Sequence, residues 1–342
     1  MNDSGNNPSR CRIVVDAMGG DFAPANAVLG ALEAYYENKS FDLFLVGRKK
    51  QIEEVLTANK LSLHNESIIN ADEVIEMKDS PAASLKIKPN SSIVIGAQLV
   101  RDKKADAFVS AGNTGAMMTA STLIIGRIPG LGRPTIGAEM PNVNGICYLY
   151  DVGASKDSKP THLFEYAVMG TIFAKVMGGV PNPKVGVLSM GEEDGKGNDV
   201  SEAAGKLLRE SNLNFIGNVE GRDILAGNVD VVVCDGFVGN IILKFGESVP
   251  KLLKHLLTKT AESNFIDKIL IGLSKNALKK SLKSLDYQEY GGVPLLGVNG
   301  ISIIGHGSSS ILAIKNMVLR ANEMHKKNLL SKMIKALSEY SV

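Results

Sequence analysis

Long apolar runs are missing from this chain of 342 residues. No run approaches the roughly 18 apolar residues that a membrane-spanning helix needs, so we expect none. Residues 1–10 are polar and have no apolar core, so we expect no signal peptide. Cysteine is scarce as well: Cys11, Cys147 and Cys234 each lie in or beside a strand-like apolar run. Buried, reduced thiols indicate a reducing compartment, and we expect a cytoplasmic protein.

Excess charge of one sign is also lacking, because the formal net charge of +2 is too small to indicate a nucleic-acid partner. The charge is nevertheless uneven: residues 251–285 contain eight lysines and two acidic residues, which leaves −4 for the remainder. Apolar residues of the segment 265–285 fall broadly on one helical face. Such a basic amphipathic helix suits an anionic membrane surface or an acidic partner protein, and a helix packed on a second subunit gives the same pattern. The basic residues concerned are Lys268, Lys275, Lys279 and Lys283.

Two nucleotide-binding motifs are absent. No G-x-G-x-x-G follows a predicted strand, which argues against a dinucleotide site. Residues 185–197 resemble a P-loop, but only three residues separate Gly191 from Gly195, and Gly197 stands where a magnesium-binding Ser or Thr is needed. Lys196 in this acidic loop remains a candidate for contacting an anion.

What the chain does contain is four short glycine-containing loops, each entered from an apolar run. They are Asp16-Ala17-Met18-Gly19-Gly20-Asp21, Ser110-Ala111-Gly112-Asn113-Thr114-Gly115, Asp235-Gly236-Phe237-Val238-Gly239-Asn240 and Gly305-His306-Gly307-Ser308-Ser309. Ligands of open α/β sheets bind where such loops converge at strand ends, and glycine lets backbone N–H groups approach an anion. We therefore predict one phosphate-binding cleft, although plain strand-to-helix turns with a helix cap would look similar.

Strand-like and helix-like segments alternate along the chain. This alternation predicts an α/β fold with a mainly parallel sheet and helices on both faces. Residues 135–139 and 146–151 are predicted to pair as neighbouring strands across a turn at 141–145. We expect a flexible tail at 1–10, one catalytic domain over 11–342, and a protruding helical hairpin at about 245–290.

Several polar residues allow more than one role. Asp16, Asp151 and Asp235 each end a strand-like run, and together they could bind Mg²⁺ or, more commonly, each accept hydrogen bonds from its own loop. His306 could accept a proton, bind phosphate or cap a helix. Cys234 follows apolar residues and is predicted to be a buried thiol rather than a nucleophile.

Six segments together resemble the acyl-ACP:phosphate acyltransferase family known as PlsX, over residues 12–325. Besides the four loops, the matching segments are Asp151-Val152-Gly153-Ala154 and Gly191-Glu192-Glu193 with Gly195-Lys196-Gly197. The resemblance implies transfer of a fatty acyl group from acyl carrier protein to orthophosphate, which gives acyl phosphate for phospholipid synthesis. It also implies a homodimer that is similar in fold to isopropylmalate dehydrogenases and phosphate acetyltransferases, without their metal or nicotinamide and with no other cofactor.

Further expectations follow from the resemblance. Peripheral contact is expected with the membrane, or with a membrane-bound glycerol-3-phosphate acyltransferase that uses the product. Two positions depart from the family pattern, because Lys86 stands where Arg is usual and Ser155 where Asn is usual. Lysine lacks the forked donors of a guanidinium, so a bidentate contact at Lys86 is in question.

We assign roles to the matching residues as a hypothesis. Residues 112–115, Gly239 and Asn240 would hold phosphate through backbone N–H groups, Lys196 would counter its charge, and His306 or Asn240 would act at the carbonyl. The phosphate-binding set is Asp16, Gly19, Gly20, Ser110, Gly112, Asn113, Thr114, Gly115, Asp151, Asp235 and Gly239. The residues alone leave three alternatives: a metal- and nicotinamide-dependent hydroxyacid dehydrogenase, a phosphate acetyltransferase using acyl-CoA, and a membrane-surface scaffold.

Overall fold

The computed structural model describes residues 10–282 and 291–340. Its strands are β1 (Cys11–Asp16), β2 (Phe41–Gly47), β3 (Ile68–Asn70), β4 (Ala107–Ser110), β5 (Thr135–Asn142), β6 (Gly145–Tyr150), β7 (Val185–Leu188), β8 (Phe215–Val219), β9 (Val231–Val233), β10 (Val293–Leu296) and β11 (Ile301–Ile304). Its α-helices are α1 (Ala25–Glu37), α2 (Lys49–Ala58), α3 (Pro81–Ile87), α4 (Ser92–Arg101), α5 (Thr114–Ala120), α6 (Pro160–Val176), α7 (Asp199–Arg209), α8 (Gly221–Ala226), α9 (Gly236–Ser263), α10 (Phe265–Ser281), α11 (Ile311–Lys326) and α12 (Leu329–Glu339). A π-helical turn, Ser121–Ile125, continues α5.

All the strands of the described residues join one sheet in the order β3-β2-β1-β4-β11-β10-β5-β6-β9-β7-β8. Strand β10 is antiparallel to both of its neighbours, and β5 is antiparallel to β6. Every other neighbouring pair is parallel. Strands β6 to β9 therefore run opposite to β1 to β4, and the two groups end at opposite edges of the sheet. We call the edge where β1 to β4 and β11 end the first edge, and the edge where β6, β7 and β9 end the second edge.

Helices cover both faces because successive strand residues alternate between two hydrophobic cores. In β4, Ala107 and Val109 pack in one core and Phe108 in the other, and β9 alternates in the same way. Helices α1, α6 and α11 contribute to the first core, whereas α4 and α5 contribute to the second. The predicted α/β fold with a mainly parallel sheet and helices on both faces is confirmed.

Most predicted elements are present within a few residues of their expected bounds. Sequence analysis missed β10, the short helices α3 and α8, and the helix α12. It also treated residues 236–240 as a loop, whereas they form the first turn of α9. Asp235 explains the difference, because its Oδ1 accepts the N–H of Val238 at 3.0 Å. This cap lets the helix begin at Gly236, directly after Asp235.

Helices α9 and α10 form the expected hairpin. Only Gly236 and Gly239 of α9 are buried, and α10 has no buried residue. Much of the exposed surface is apolar, including Phe237, Phe245 and Leu273. Among the described residues, no helix combines the length and apolar character needed to cross a bilayer. Lys283, which we assigned to the basic surface, lies outside the described residues, as does most of the predicted tail.

Candidate functional site

Asp16 organises the loops at the first edge. It is buried at the end of β1, where its Oδ1 accepts the N–H of Met18 at 3.0 Å and its Oδ2 accepts the Ser110 hydroxyl at 2.7 Å. The Ser110 hydroxyl oxygen in turn accepts the N–H of Gly112 at 3.0 Å. Burial raises the pKa of Asp16, and hydrogen bonds, including the one from Ser110, oppose that shift. The carboxylate thus joins the β1 and β4 loops instead of facing a ligand.

Glycine at position 19 is required by the closeness of these two loops. A Cβ there would lie 2.7 Å from both Asp16 Oδ2 and the Gly112 nitrogen. Gly20 follows with a positive φ of 107°, and the next N–H, of Asp21, donates to the Gly307 carbonyl at 2.7 Å. The β1 loop is therefore fixed on both sides, to the β4 loop and to the β11 loop.

Helix α5 begins at this edge, where Asn113, Thr114 and Gly115 follow β4. Asn113 caps the helix, since its Oδ1 accepts the N–H of Ala116 at 3.0 Å. Its Nδ2 donates to the carbonyls of Glu76, Met77 and Asp79 at 3.0 to 3.2 Å. The Asn113 side chain is therefore bonded within the protein, whereas the predicted contact of residues 112–115 with phosphate runs through the backbone. The N–H groups of Thr114 and Gly115, by contrast, have no acceptor among the described residues.

His306 lies on the third loop of the first edge, after β11. Its Nδ1 accepts the N–H of Ser308 at 3.2 Å and lies 2.8 Å from the Ser308 hydroxyl. The ring is exposed. Together the β1, β4 and β11 loops, which carry Asp16, Gly19, Gly20, Ser110, Gly112, Asn113, Thr114, Gly115 and His306, form what we call the first-edge cluster.

Asp151 organises a separate cluster at the second edge. This buried carboxylate follows β6 and accepts backbone N–H groups from Ala154 at 2.9 Å and Ser155 at 2.8 Å. Weaker contacts come from Gly153 at 3.2 Å and Ile136 at 3.4 Å. Burial raises the pKa of Asp151, and these backbone hydrogen bonds oppose the shift. The buried Asp151 carboxylate thus stabilises a tight turn by accepting these hydrogen bonds.

The start of α9 packs directly on that turn. A Cβ at Gly239 would lie 1.8 Å from the Asp151 carbonyl oxygen, so only glycine fits. The next residue, Asn240, is exposed, and its side chain lies against Gly153. Lys196 is exposed in the loop after β7, which ends at the same edge. Asp151, Asp235, Gly239, Asn240 and Lys196 form the second-edge cluster.

The structure therefore divides the predicted site into two parts. The four loops do not converge in one cleft of a single chain, because the β5–β6 hairpin reverses the strand direction. Helix α5 and its π-helical turn, 114–125, run between the edges and span about 18 Å at 1.5 Å per residue. Asp16 also lies at the opposite edge from Asp151 and Asp235, so the three aspartates do not form one set of metal ligands.

Arg133 is a residue of the second edge that sequence analysis missed. Its guanidinium donates to the Ser155 hydroxyl at 2.9 Å and to the Asp157 carbonyl at 3.3 Å. Ser155, one of the two departures from the family pattern, therefore holds an exposed cation beside the Asp151 turn. Nearby, burial, Arg133 and Lys159 lower the pKa of His162. An arginine immediately before a strand, Arg133-Pro134, was the available signal.

The remaining candidates lie apart from both clusters. Lys86 is exposed in the last turn of α3, and Lys268, Lys275 and Lys279 are exposed along α10. Cys234 is buried as predicted, and burial raises the pKa of its thiol well above the ordinary range. A buried, protonated thiol does not act as a nucleophile.

Comparison with known sequences identifies relatives over nearly the whole chain. A profile of the family described as "Fatty acid synthesis protein" matches residues 11–332. The phosphate acyltransferase of Pelotomaculum thermopropionicum is 48% identical over 320 residues, which cover 93% of each chain. That of Chlorobaculum parvum is 48% identical over 322 residues, which cover 91% of this chain and 94% of the relative.

Comparison with solved structures identifies the fold. A phosphotransacetylase from Streptococcus pyogenes superposes with a TM-score of 0.62 at 18% identity, covering 92% of this chain and 94% of the other. The EutD phosphotransacetylase from Staphylococcus aureus gives 0.60 at 17% identity, covering 93% and 95%. At such low identity the similarity concerns the fold alone.

Proposed function

Because the chain belongs to the fatty acid synthesis protein family, whose curated relatives are named phosphate acyltransferases, we propose that it transfers a fatty acyl group from acyl carrier protein to orthophosphate. The products are acyl phosphate and free carrier protein. Thioesters and acyl phosphates are both activated acyl groups, so the exchange needs no ATP. Orthophosphate is itself an anionic nucleophile, so the reaction needs no covalent enzyme intermediate.

The observation that carries this proposal is the pair of backbone donors at the start of α5, for which the described part of the chain provides no acceptor. The N–H groups of Thr114 and Gly115 point from a helix N-terminus, which favours negative charge. They can bind the phosphate or the oxyanion that forms when phosphate attacks the thioester. The buried Asp16–Ser110–Gly112 chain keeps the neighbouring backbone rigid, so little reorganisation is needed at the moment of reaction. Alignment of the reactants can lower the barrier by about 7–11 kcal/mol in favourable cases.

Lys196 and Asn240 are assigned the complementary charge and hydrogen bonds at the second edge. Lys196 would counter the phosphate charge, Asn240 would donate to the reacting carbonyl, and Arg133 adds a second cation held by Ser155. Because these groups lie across the sheet from α5, we propose that a homodimer joins the first-edge cluster of one protomer to the second-edge cluster of its partner. The exposed apolar side of α9 beside the second edge, with Phe237 64% and Phe245 71% exposed, supports such an interface.

The product leads to a further part of the proposal. Acyl phosphate would be used in phospholipid synthesis, by a membrane-bound glycerol-3-phosphate acyltransferase. Lys268, Lys275 and Lys279 lie exposed on the hairpin among apolar residues, an arrangement that suits an anionic lipid surface. Peripheral membrane contact is accordingly assigned to α10.

One assay tests the reaction. The protein is mixed with acyl carrier protein bearing a labelled acyl chain and with orthophosphate, and the product is trapped with hydroxylamine. We expect an acyl hydroxamate that depends on both orthophosphate and protein. A parallel reaction with acetyl-CoA examines the phosphate acetyltransferase alternative. Turnover of acetyl-CoA without turnover of the acylated carrier would reject the proposal.

A further inference from the structure

A cleft of about 510 Å³ opens directly beside the first-edge cluster. Three segments that follow β1, β2 and β3 form its walls. Gly20 of the first-edge cluster and the next residue, Asp21, contribute to it, and the start of α2 and the loop before α3 complete it. Its volume falls within the roughly 300–1,000 Å³ typical of small-molecule sites. The cleft adjoins the start of α5 through its wall, because Asn113 donates to the carbonyls of Glu76 and Met77.

The lining of the cleft is amphipathic. Its apolar side chains are Met18, Pro24, Val74 and Met77. Gln51, Asp21 and Glu76 add groups that pair with amides, and Arg48 and Lys78 add two cations. Among the described residues, neither cation has a carboxylate within salt-bridge distance. Arg48 is nevertheless fixed, because its Nε donates to the Asp72 carbonyl at 3.1 Å.

The wall formed by residues 74–78 is a loop, but hydrogen bonds hold it in place. Asn113 binds three carbonyls of residues 76–79, and the Lys88 ammonium donates to the Val74 carbonyl at 2.7 Å. The loop also closes on itself, since the Glu76 N–H donates to Asp79 Oδ2 at 2.8 Å. A preorganised wall reduces the entropy lost when a flexible ligand is bound. Asn113 thus connects the shape of the cleft to the start of α5.

We propose that this cleft binds the phosphopantetheine arm of the acyl donor, an inference that rests on the proposed acyl transfer. The arm carries a thioester at one end, two amides and a geminal dimethyl group along its length, and a phosphodiester at the other end. Met18, Val74 and Met77 suit its methyl and methylene groups. Gln51, Asp21 and Glu76 suit its amides.

The two cations set the direction of the arm. Arg48 and Lys78 pair with the phosphodiester, since a guanidinium binds phosphate oxygens through two donors. The thioester then lies at the inner end, beside the donors of α5. Acyl carrier protein and coenzyme A present the same arm, whose phosphate is part of a phosphodiester in the carrier and of a diphosphate in coenzyme A, so the chemistry recognised is that of the arm and not of either carrier.

The first test compares donors kinetically. The Arg48→Ala/Lys78→Ala double variant should raise the KM for acyl carrier protein, and for acyl-CoA where it is used, by about tenfold or more, with the KM for phosphate unchanged. Gln51→Trp, which fills the cleft from the partly exposed side of α2, should do the same. Lys39→Ala/Lys104→Ala removes two exposed lysines elsewhere and serves as the matched control. Unchanged donor KM values in both cleft variants would overturn the proposal, as would a loss confined to one donor when both are used.

A binding test separates this inference from the reaction itself. Calorimetry compares carrier protein bearing the unacylated arm with carrier protein lacking it, and needs no turnover. The arm should tighten binding to the wild-type protein, and the double variant should abolish that difference. If the arm makes no difference in the wild type, the inference is rejected even when acyl phosphate forms. If the difference appears and acyl phosphate does not form, the proposed reaction fails and the cleft assignment stands.

Discussion

Two adjacent residues at the start of α5 differ in role. The Asn113 side chain makes its hydrogen bonds within the protein, whereas Thr114 has a backbone N–H that no described residue accepts. Sequence analysis allowed a helix cap in this loop and assigned residues 112–115 to phosphate through their backbone N–H groups. The three carbonyls that Asn113 binds lie 34 to 37 residues away in sequence, so the local pattern contained no sign of them.

Replacing Thr114 by proline removes one donor and leaves the helix intact. Proline is favoured at the first helical position because that N–H makes no intrahelical bond. We expect Thr114→Pro to lower kcat/KM by about 10²–10³-fold, the usual effect of losing one oxyanion donor. Thr114→Ala, which keeps the N–H, is the matched control and should retain most activity. Equal losses in both variants would show that the hydroxyl matters and not the amide.

Asp106 provides a prediction about pH. It accepts the N–H, Nε and Nη2 of Arg12 at 2.8 to 3.0 Å and so joins the starts of β1 and β4. Burial opposes ionisation, but the hydrogen bonds and charge of Arg12 prevail and lower the pKa of Asp106 below its ordinary 3.8. A lowered folded-state pKa gives stability that is present above the unfolded value and is lost as the pH falls through the folded value.

Asp106→Asn should therefore cost about 1 kcal/mol of unfolding free energy near pH 7, since both partners are partly exposed. The difference from the wild type should shrink as the pH falls below about 4. Urea unfolding at a series of pH values measures it. A difference that stays constant down to the acid limit would contradict the assigned linkage.

At the scale of elements, packing of α9 on the Asp151 turn requires glycine at position 239, where no side chain fits. Sequence analysis found the segment from Asp235 to Asn240 but not its helical state, which follows from the cap at Asp235. Nor did it predict the contact of Gly239 with the Asp151 carbonyl, because the β6 and β9 strands that bring them together are 83 residues apart. Contacts between distant strands are set by the sheet order and not by local periodicity.

Gly239→Ala should displace the start of α9. The new Cβ would lie 1.8 Å from a backbone oxygen that cannot rotate away, so we expect an unfolding free energy lowered by about 1–3 kcal/mol and activity lost. Gly272→Ala in α10 is the matched control, because nothing lies within 4 Å of its Cβ. That change should leave stability equal or raise it by up to about 1 kcal/mol. Thermal unfolding and the acyl hydroxamate assay distinguish the two variants.

At the scale of the whole molecule, alternation of strands and helices was enough to predict the fold class. It did not predict the direction of the second group of strands. The reversal at the β5–β6 hairpin and the insertion of β10 depend on pairings such as Leu295 with Ile136, which join segments about 160 residues apart. As a result, the loops after β1, β4 and β11 lie where they were expected and residues 236–240 belong to a helix instead, while the single cleft expected from the four segments is divided between two edges.

A composite site in a homodimer predicts complementation between two inactive proteins. Thr114→Pro damages the first edge and Lys196→Ala damages the second. A hybrid dimer of the two chains then contains one site with both defects and one site with none. After subunit exchange at equal concentrations, half the dimers are hybrids, so activity should return to roughly a quarter of the wild-type value.

The controls for complementation follow from the same geometry. Differently tagged chains that purify together establish that hybrids have formed. Lys206 is an exposed lysine on α7, outside the second-edge cluster. The Lys206→Ala variant should be active by itself, and it controls for the loss of one surface charge. If each site were built from one chain, every site in the hybrid would carry one defect, and mixing would restore nothing. Inactive tagged hybrids would therefore show that all the reacting groups of one site belong to a single chain. The proposed pairing of the first-edge cluster of one protomer with the second-edge cluster of its partner would then be wrong.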